Sequence, residues 1–245
     1  MIKFFRKIRY NLMEAGKTSR YLKYAMGEII LVVIGILIAL QINNWNQDRN
    51  DRMHEAFLLL QINIEMQDNL EQLNIVQNSM KRLVDQGLNI VSIFPLNEEK
   101  INSEKFIKNF QGFLYCPSFD AYQGTIRSII STGNLDLIVN DRLRKLIVTW
   151  EDVLSDYKEE EYMAWQYGYS LMEWATDHFP NPRYVQPQWN TVDYKGLQGR
   201  MGEKINRYQF CYDGEDAKKL RNHIIELIEL TANYNDNAVN ISQNP

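Results

Sequence analysis

Residues 29–40 read Ile-Ile-Leu-Val-Val-Ile-Gly-Ile-Leu-Ile-Ala-Leu, twelve positions without one polar side chain. A helix gains about 1.5 Å per residue and needs about 20 largely apolar residues to cross the hydrocarbon of a bilayer. The flanks lengthen the run: Tyr21, Leu22, Tyr24, Ala25, Met26 and Gly27 precede it, and Gln41, Ile42 and Trp45 follow. Tyr21 and Tyr24 on one side and Trp45 on the other suit the two membrane interfaces. The sequence therefore predicts a transmembrane signal-anchor helix over 21–45. A cleaved signal peptide has the same basic and apolar layout, but Gln41-Ile42-Asn43-Asn44-Trp45 offers no small-x-small cleavage pattern.

Charge is split across this segment. Lys3, Arg6, Lys7, Arg9, Lys17, Arg20 and Lys23 face Glu14 alone, a balance of +6. With Glu28 counted, the net charge of −4 leaves −9 on residues 46–245. Basic residues stay on the cytoplasmic side of a span, so the N-terminus is expected in the cytoplasm and some 200 residues beyond the membrane. Met1, Phe5, Ile8 and Leu12 recur at helical spacing among Lys and Arg, which makes 1–20 a basic amphipathic segment for the inner leaflet or a plain orientation signal. Gly16-Lys17-Thr18 imitates the end of a phosphate-binding loop, but Asn11 stands where its first glycine belongs.

Residues 27–46, from Gly27-Glu28-Ile29 to Asn43-Asn44-Trp45-Asn46, follow a basic Met1-Ile2-Lys3-Phe4-Phe5-Arg6 start. Together with Ser131-Thr132-Gly133-Asn134-Leu135-Asp136-Leu137-Ile138 and Asn140-Asp141-Arg142-Leu143, this resembles a family of uncharacterised single-pass membrane proteins of Bacteroidota, a domain of unknown function. The resemblance implies a Gram-negative inner membrane and a periplasmic domain. It assigns no catalytic residue.

The part beyond the span reads as all-α, an extracytoplasmic antiparallel helical bundle over 46–245. Prolines fall only at 95, 117, 180, 182, 187 and 245, which leaves long stretches open to helix. Leu59, Ile62, Met66, Leu70, Leu73, Val76, Met80 and Leu83 step by three and four, predicting one helix from about 48 to 90. A short helix follows from Ser103, its N-cap, to about Gln111, and another from Ala121 to Ser131, closed by Gly133. Asn140 or Asp141 caps a long helix to about Asp177. Pro180, Pro182, Pro187, Gly196, Gly199 and Gly202 then predict an irregular excursion of some thirty residues. A last helix from Asp213 carries the seam Ala217, Leu220, Ile224, Leu227, Thr231, Tyr234 and Ala238, with the spacing of a bundle or a coiled coil.

Few residues carry chemistry. Glu28 beside the apolar run is either a proton or cation site or an interfacial carboxylate paired with Lys23 or a headgroup. Gly35 and Ala39 form a small-x-x-x-small pair suited to helix packing. Glu151, Asp152, Asp156, Glu159, Glu160 and Glu161 fit a solvated helix face better than a metal site, and no second ligand cluster supports a metal. Trp150, Tyr157, Trp165 and Tyr169 crowd one helix, as core packing or as the lining of an aromatic pocket. Cys116 and Cys211 either pair as a disulfide or stay buried thiols. No catalytic triad, phosphate loop or cofactor motif is present, and an acidic chain is a poor partner for nucleic acid.

The sequence thus points to a membrane-anchored interaction or scaffold protein of the cell envelope, not an enzyme, with the bilayer and either a second copy or another envelope protein as partners. The alternatives are a periplasmic sensor-like module and a subunit of an ion-driven envelope complex using Glu28.

Overall fold

The computed structural model describes residues 10, 18–178 and 194–242, the side chains at 18–21, 24, 98, 178 and 233–242 excepted. The expected amphipathic segment at Met1, Phe5, Ile8 and Leu12 and the prolines at 180, 182 and 187 lie outside those residues, as do the side chains of Tyr234 and Ala238. Among the described residues every regular element is helical and no strand occurs. In order these are α1 (Thr18–Val91), α2 (Glu98–Ile101), α3 (Glu104–Phe113), α4 (Gly124–Thr132), a 3₁₀ turn (Asn134–Leu137), α5 (Asp141–His178), α6 (Tyr194–Asp213) and α7 (Glu215–Ser242). The chain divides into two compact units, Met1–His54 and Glu55–Pro245, and α1 contributes to both.

In the first unit α1 is long and apolar enough to cross a membrane. The ten Ile, Leu and Val side chains between Ile29 and Leu40 are each 47–72% exposed, so nothing among the described residues covers them. Gly35 is equally bare, with no atom within 4 Å of the position a Cβ would take.

The second unit buries its apolar side chains in two clusters. One gathers Met80, Leu83, Val84 and Ile90 of α1, Phe106, Phe110 and Phe113 of α3, Ala164, Leu171 and Trp174 of α5, and the inner face of α6. The other gathers Leu59, Ile62, Met66 and Leu73 of α1, Ile126 and Ile129 of α4, Leu143 to Tyr157 of α5, and Ala217, Leu220, Ile224 and Leu227 of α7. Helices α1 and α5 therefore serve both clusters, while α6 serves one and α7 the other. Where the clusters meet, α1 buries Gln77 and α5 buries Glu161, both polar. Contacts between α5 and α7 run in opposite chain order: Arg142 grips Glu226 through two bonds of 2.5 and 2.6 Å, His223 Nε2 lies 2.9 Å from Leu146 O, and Lys219 reaches Asp156 at 2.5 Å.

Polar side chains of α1 hold the segment between α3 and α5. Asn69 and the backbone of Tyr122 exchange two hydrogen bonds of 2.7 Å each. Gln123, at the N-cap of α4, makes no side-chain capping bond. Glu65 does it instead, its Oε2 accepting from Thr125 N at 2.8 Å, which satisfies a free amide and sets a negative charge at the helix start. Glu55 Oε1 accepts from Val139 N at 2.6 Å. Asn63 donates across to α7, to Ile228 O at 3.0 Å and Thr231 Oγ1 at 2.8 Å.

Local signals explain most helix ends. Ser103 accepts from Phe106 N at 3.2 Å, and Asn140 accepts from Arg142 N and Leu143 N at 3.0 and 3.1 Å. Gly133 closes α4 with φ +75°, a conformation that costs other residues about 1–2 kcal/mol. Helix α4 begins at Gly124, not Ala121, because the Asn69 latch holds Tyr122 outside it. The larger correction concerns α6, a helix of 20 residues where the sequence predicts irregular chain. Leu197, Met201, Lys204, Ile205, Tyr208 and Cys211 all lie on its buried face, and that burial outweighs the weak helix propensity of Gly196, Gly199 and Gly202. Gly214 turns the chain into α7, since a Cβ there would sit 2.3 Å from Phe210 O.

Candidate functional site

The most unusual side chain in the second unit is Lys204, fully buried on α6. A lysine is almost never fully buried without partners, and this one has several. Its Nζ donates to Phe113 O at 2.6 Å, a carbonyl that the end of α3 leaves unpaired within the helix, and to Tyr115 O just beyond it at 3.1 Å. It lies 3.7 Å from Cys116 Sγ, and 5.0 and 5.6 Å from the ring centres of Phe113 and Tyr208. Burial pushes the amine down to about 8, against the smaller opposing pull of the Cys116 sulfur. Burial first, then the Cys116 sulfur, holds the pKa of the Tyr208 hydroxyl far above the usual range.

Helix α5 closes this site at Gly168. A Cβ there would meet Cys116 Sγ at 2.6 Å and Lys204 Cε and Nζ at 3.4 Å, so only glycine leaves room for the pair. Two turns earlier on α5, Glu161 Oε1 accepts from Phe119 N at 2.7 Å and Oε2 from Ser118 Oγ at 3.0 Å. Lys158 pairs with the same Oε2 at 2.7 Å and donates to Phe119 O. The stretch Leu114–Asp120 is thus tied down by Lys204 at one end and by Glu161 and Lys158 at the other. Pro117, Ser118, Lys158, Glu161, Tyr162 and Trp165 line a cleft of about 320 Å³ at its surface. Beside it Tyr162, Trp165 and Tyr169 stack in sequence, with ring centres 6.4 and 5.4 Å apart, and all three are exposed.

The residues singled out in the sequence are scattered. Trp150 and Tyr157 are buried in the α7-side cluster, whereas Trp165 and Tyr169 lie exposed, so the four do not line one pocket. Cys116 and Cys211 are free thiols; Cys116 is partly exposed and Cys211 fully buried. Burial, then Glu161 and Glu160, pushes the Cys211 thiol up to about 12. Glu28 is partly buried and interacts within the chain, Ala39 is exposed, and Trp45 is 65% exposed. Of the acidic stretch, Glu161 departs from a solvated face, while Asp156 and Glu160 face Lys219 and Arg207. Among the described residues no three His, Cys, Asp or Glu side chains converge as metal ligands would.

Lys204 escaped the sequence reading. Its one signal was periodic: it occupies an inward position between Met201 and Tyr208, where a charge is out of place.

No curated protein and no solved structure matches the chain. A family model does match, over residues 28–151, a span that takes in α1 from Glu28, the three latches from Glu55, Glu65 and Asn69, and the start of α5. That match covers half of the sequence, and the chain belongs to the family of unknown function DUF6090.

Proposed function

We propose that the chain is a single-pass inner-membrane protein whose residues 21–45 are the anchor, with a cytoplasmic N-terminus and residues 46–245 folded as an antiparallel helical bundle in the periplasm. Its role is interaction: the bundle binds a second copy or another envelope protein, and no catalysis is required. The observation that carries the reading is the bare run Ile29–Leu40, exposed at every Ile, Leu and Val, where the helices of the second unit leave only scattered ones such as Ile130 and Val148 uncovered among the described residues. Burying such side chains is worth about 25 cal/mol per Å² of apolar surface, a gain that lipid supplies and water does not. The excess of base before the run supports the orientation. The exposed stripe of Tyr162, Trp165, Tyr169 and Met172 on α5 supports an interaction role, since aromatic side chains and methionine are enriched in protein interfaces.

Alkaline carbonate extraction of membranes tests the anchor. The full chain is expected to stay in the pellet and a chain beginning at residue 46 to be released. Release of the full chain contradicts the reading. A photo-cross-linking residue at Tyr162 tests the interaction: an adduct of twice the chain mass, or one with an envelope protein, is expected. Its absence in intact cells contradicts the role given to the stripe.

A further inference from the structure

Tyr162, Trp165 and Tyr169 follow one another on α5 at steps of three and four, so they share one face of the helix. They are 59, 46 and 44% exposed, and neighbouring ring planes lie within 17° and 20° of parallel. Three large rings open to solvent are out of place on a unit that buries Trp150, Tyr157, Phe106 and Phe110 almost completely. Tyr162 and Trp165 also line the cleft of about 320 Å³, whose other walls are polar and fixed. Glu161, with its side chain 5% exposed, is held by Phe119 N at 2.7 Å. Lys158 makes its close bonds to Phe119 O and Glu161 Oε2. Its contacts to Ser118 Oγ at 3.4 Å and Asp120 Oδ1 at 3.6 Å are long enough for a ligand hydroxyl to replace them. Ser118 Oγ donates to Glu161 and keeps an acceptor site. Two carboxylates against one ammonium make the cleft a poor site for an anion, and the ammonium makes it a poor site for a cation.

A ligand that fits is neutral, with an apolar face for the rings and hydroxyls that both donate and accept. A pyranose ring has this chemistry: its axial C–H bonds make a flat face that stacks on an aromatic ring, and its equatorial hydroxyls bond sideways. We propose that the cleft is a saccharide-binding site, in which one pyranose unit stacks on Trp165 and Tyr162 while its hydroxyls exchange hydrogen bonds with Lys158 and Ser118. The next unit of a glycan chain runs on to Tyr169. A flat protein surface covers the rings without entering the cleft, whereas a sugar unit does both. The assignment goes beyond the protein-interaction role given to the same stripe, and the two fail separately.

The test is calorimetric titration of the full chain, held in a detergent without a sugar headgroup, with a β-linked tetramer of glucose and a β-linked tetramer of N-acetylglucosamine. Saturable binding of at least one tetramer is expected, with a dissociation constant below about 1 mM. Trp165→Ala is expected to weaken it about ten-fold with helicity unchanged, and Ser118→Ala about three-fold. Phe57→Ala, which removes another exposed ring from α1, is expected to leave the affinity as it is. Binding of neither tetramer overturns the proposal, and so does full affinity in Trp165→Ala or an equal loss in Phe57→Ala. Full affinity in Ser118→Ala places the sugar on the rings alone and overturns the assignment of the cleft. A protein adduct at Tyr162 without binding of either tetramer overturns the saccharide site and leaves the protein-interaction role standing.

Discussion

Glu161 shows what one buried carboxylate does here. Glu161→Ala removes the acceptor of the Phe119 amide and the Ser118 hydroxyl together and strips Lys158 of its nearer carboxylate. A cost of about 2–4 kcal/mol is expected, read as a lower urea midpoint; an unchanged midpoint would mean that water replaces the carboxylate without penalty. Lys204 makes a pH prediction. Its amine lies at about 8 in the fold against 10.5 when unfolded. Below the lower value both states hold the proton. Between the two the unfolded chain binds more, so stability rises with pH, by up to about 1.4 kcal/mol per pH unit. Cys211 works in reverse above its unfolded value of 9.0, being raised to about 12 in the fold, so the window to use runs from about pH 8 to 9. The slope there is expected to be smaller in Lys204→Met than in wild type, and equal slopes would contradict the burial of the charged amine. The sequence reading placed Glu161 on a solvated face and passed over Lys204, whereas both are buried. The backbone groups they bind lie 42 to 91 residues away, and periodicity records only that a polar letter stands in an inward position.

At the scale of elements, periodicity succeeded where apolar residues carry most of the buried face. Of the predicted three-four seam, Leu59, Ile62, Met66, Leu73, Met80 and Leu83 are fully or almost fully buried while Leu70 and Val76 are half-buried, and Leu220, Ile224 and Leu227 are fully buried on α7. Caps were legible too, because Ser103, Gly133 and Asn140 act within a few residues of themselves. Helix α6 was not, since three glycines argue locally for irregular chain and the opposing term is tertiary. That difference is testable. Gly199 and Gly202 lie in α6 with no atom within 4 Å of a Cβ position, so Gly199→Ala and Gly202→Ala add helix propensity without a clash. Each is expected to stabilise the second unit by about 0.5–1 kcal/mol, seen as a higher melting temperature. Loss of stability in both would contradict a helix at these positions.

For the whole molecule, the proposed division of labour gives the anchor and the bundle separate sensitivities. Gly35 has open space around it, so Gly35→Ile adds bulk that this chain alone does not feel. If a second copy or another span packs there, Gly35→Ile is expected to reduce recovery of cross-linked complexes from membranes with insertion intact, and Glu28→Gln to leave recovery unchanged. The reverse ranking would favour an ion site at Glu28 over packing. The central claim, that Ile29–Leu40 crosses the inner membrane and places residues 46–245 outside the cytoplasm, is tested most directly by proteolysis of intact spheroplasts. The account predicts that added protease removes the helical domain and leaves a short membrane-held N-terminal fragment. A chain that stays intact until detergent opens the cells, and is then digested, would contradict it.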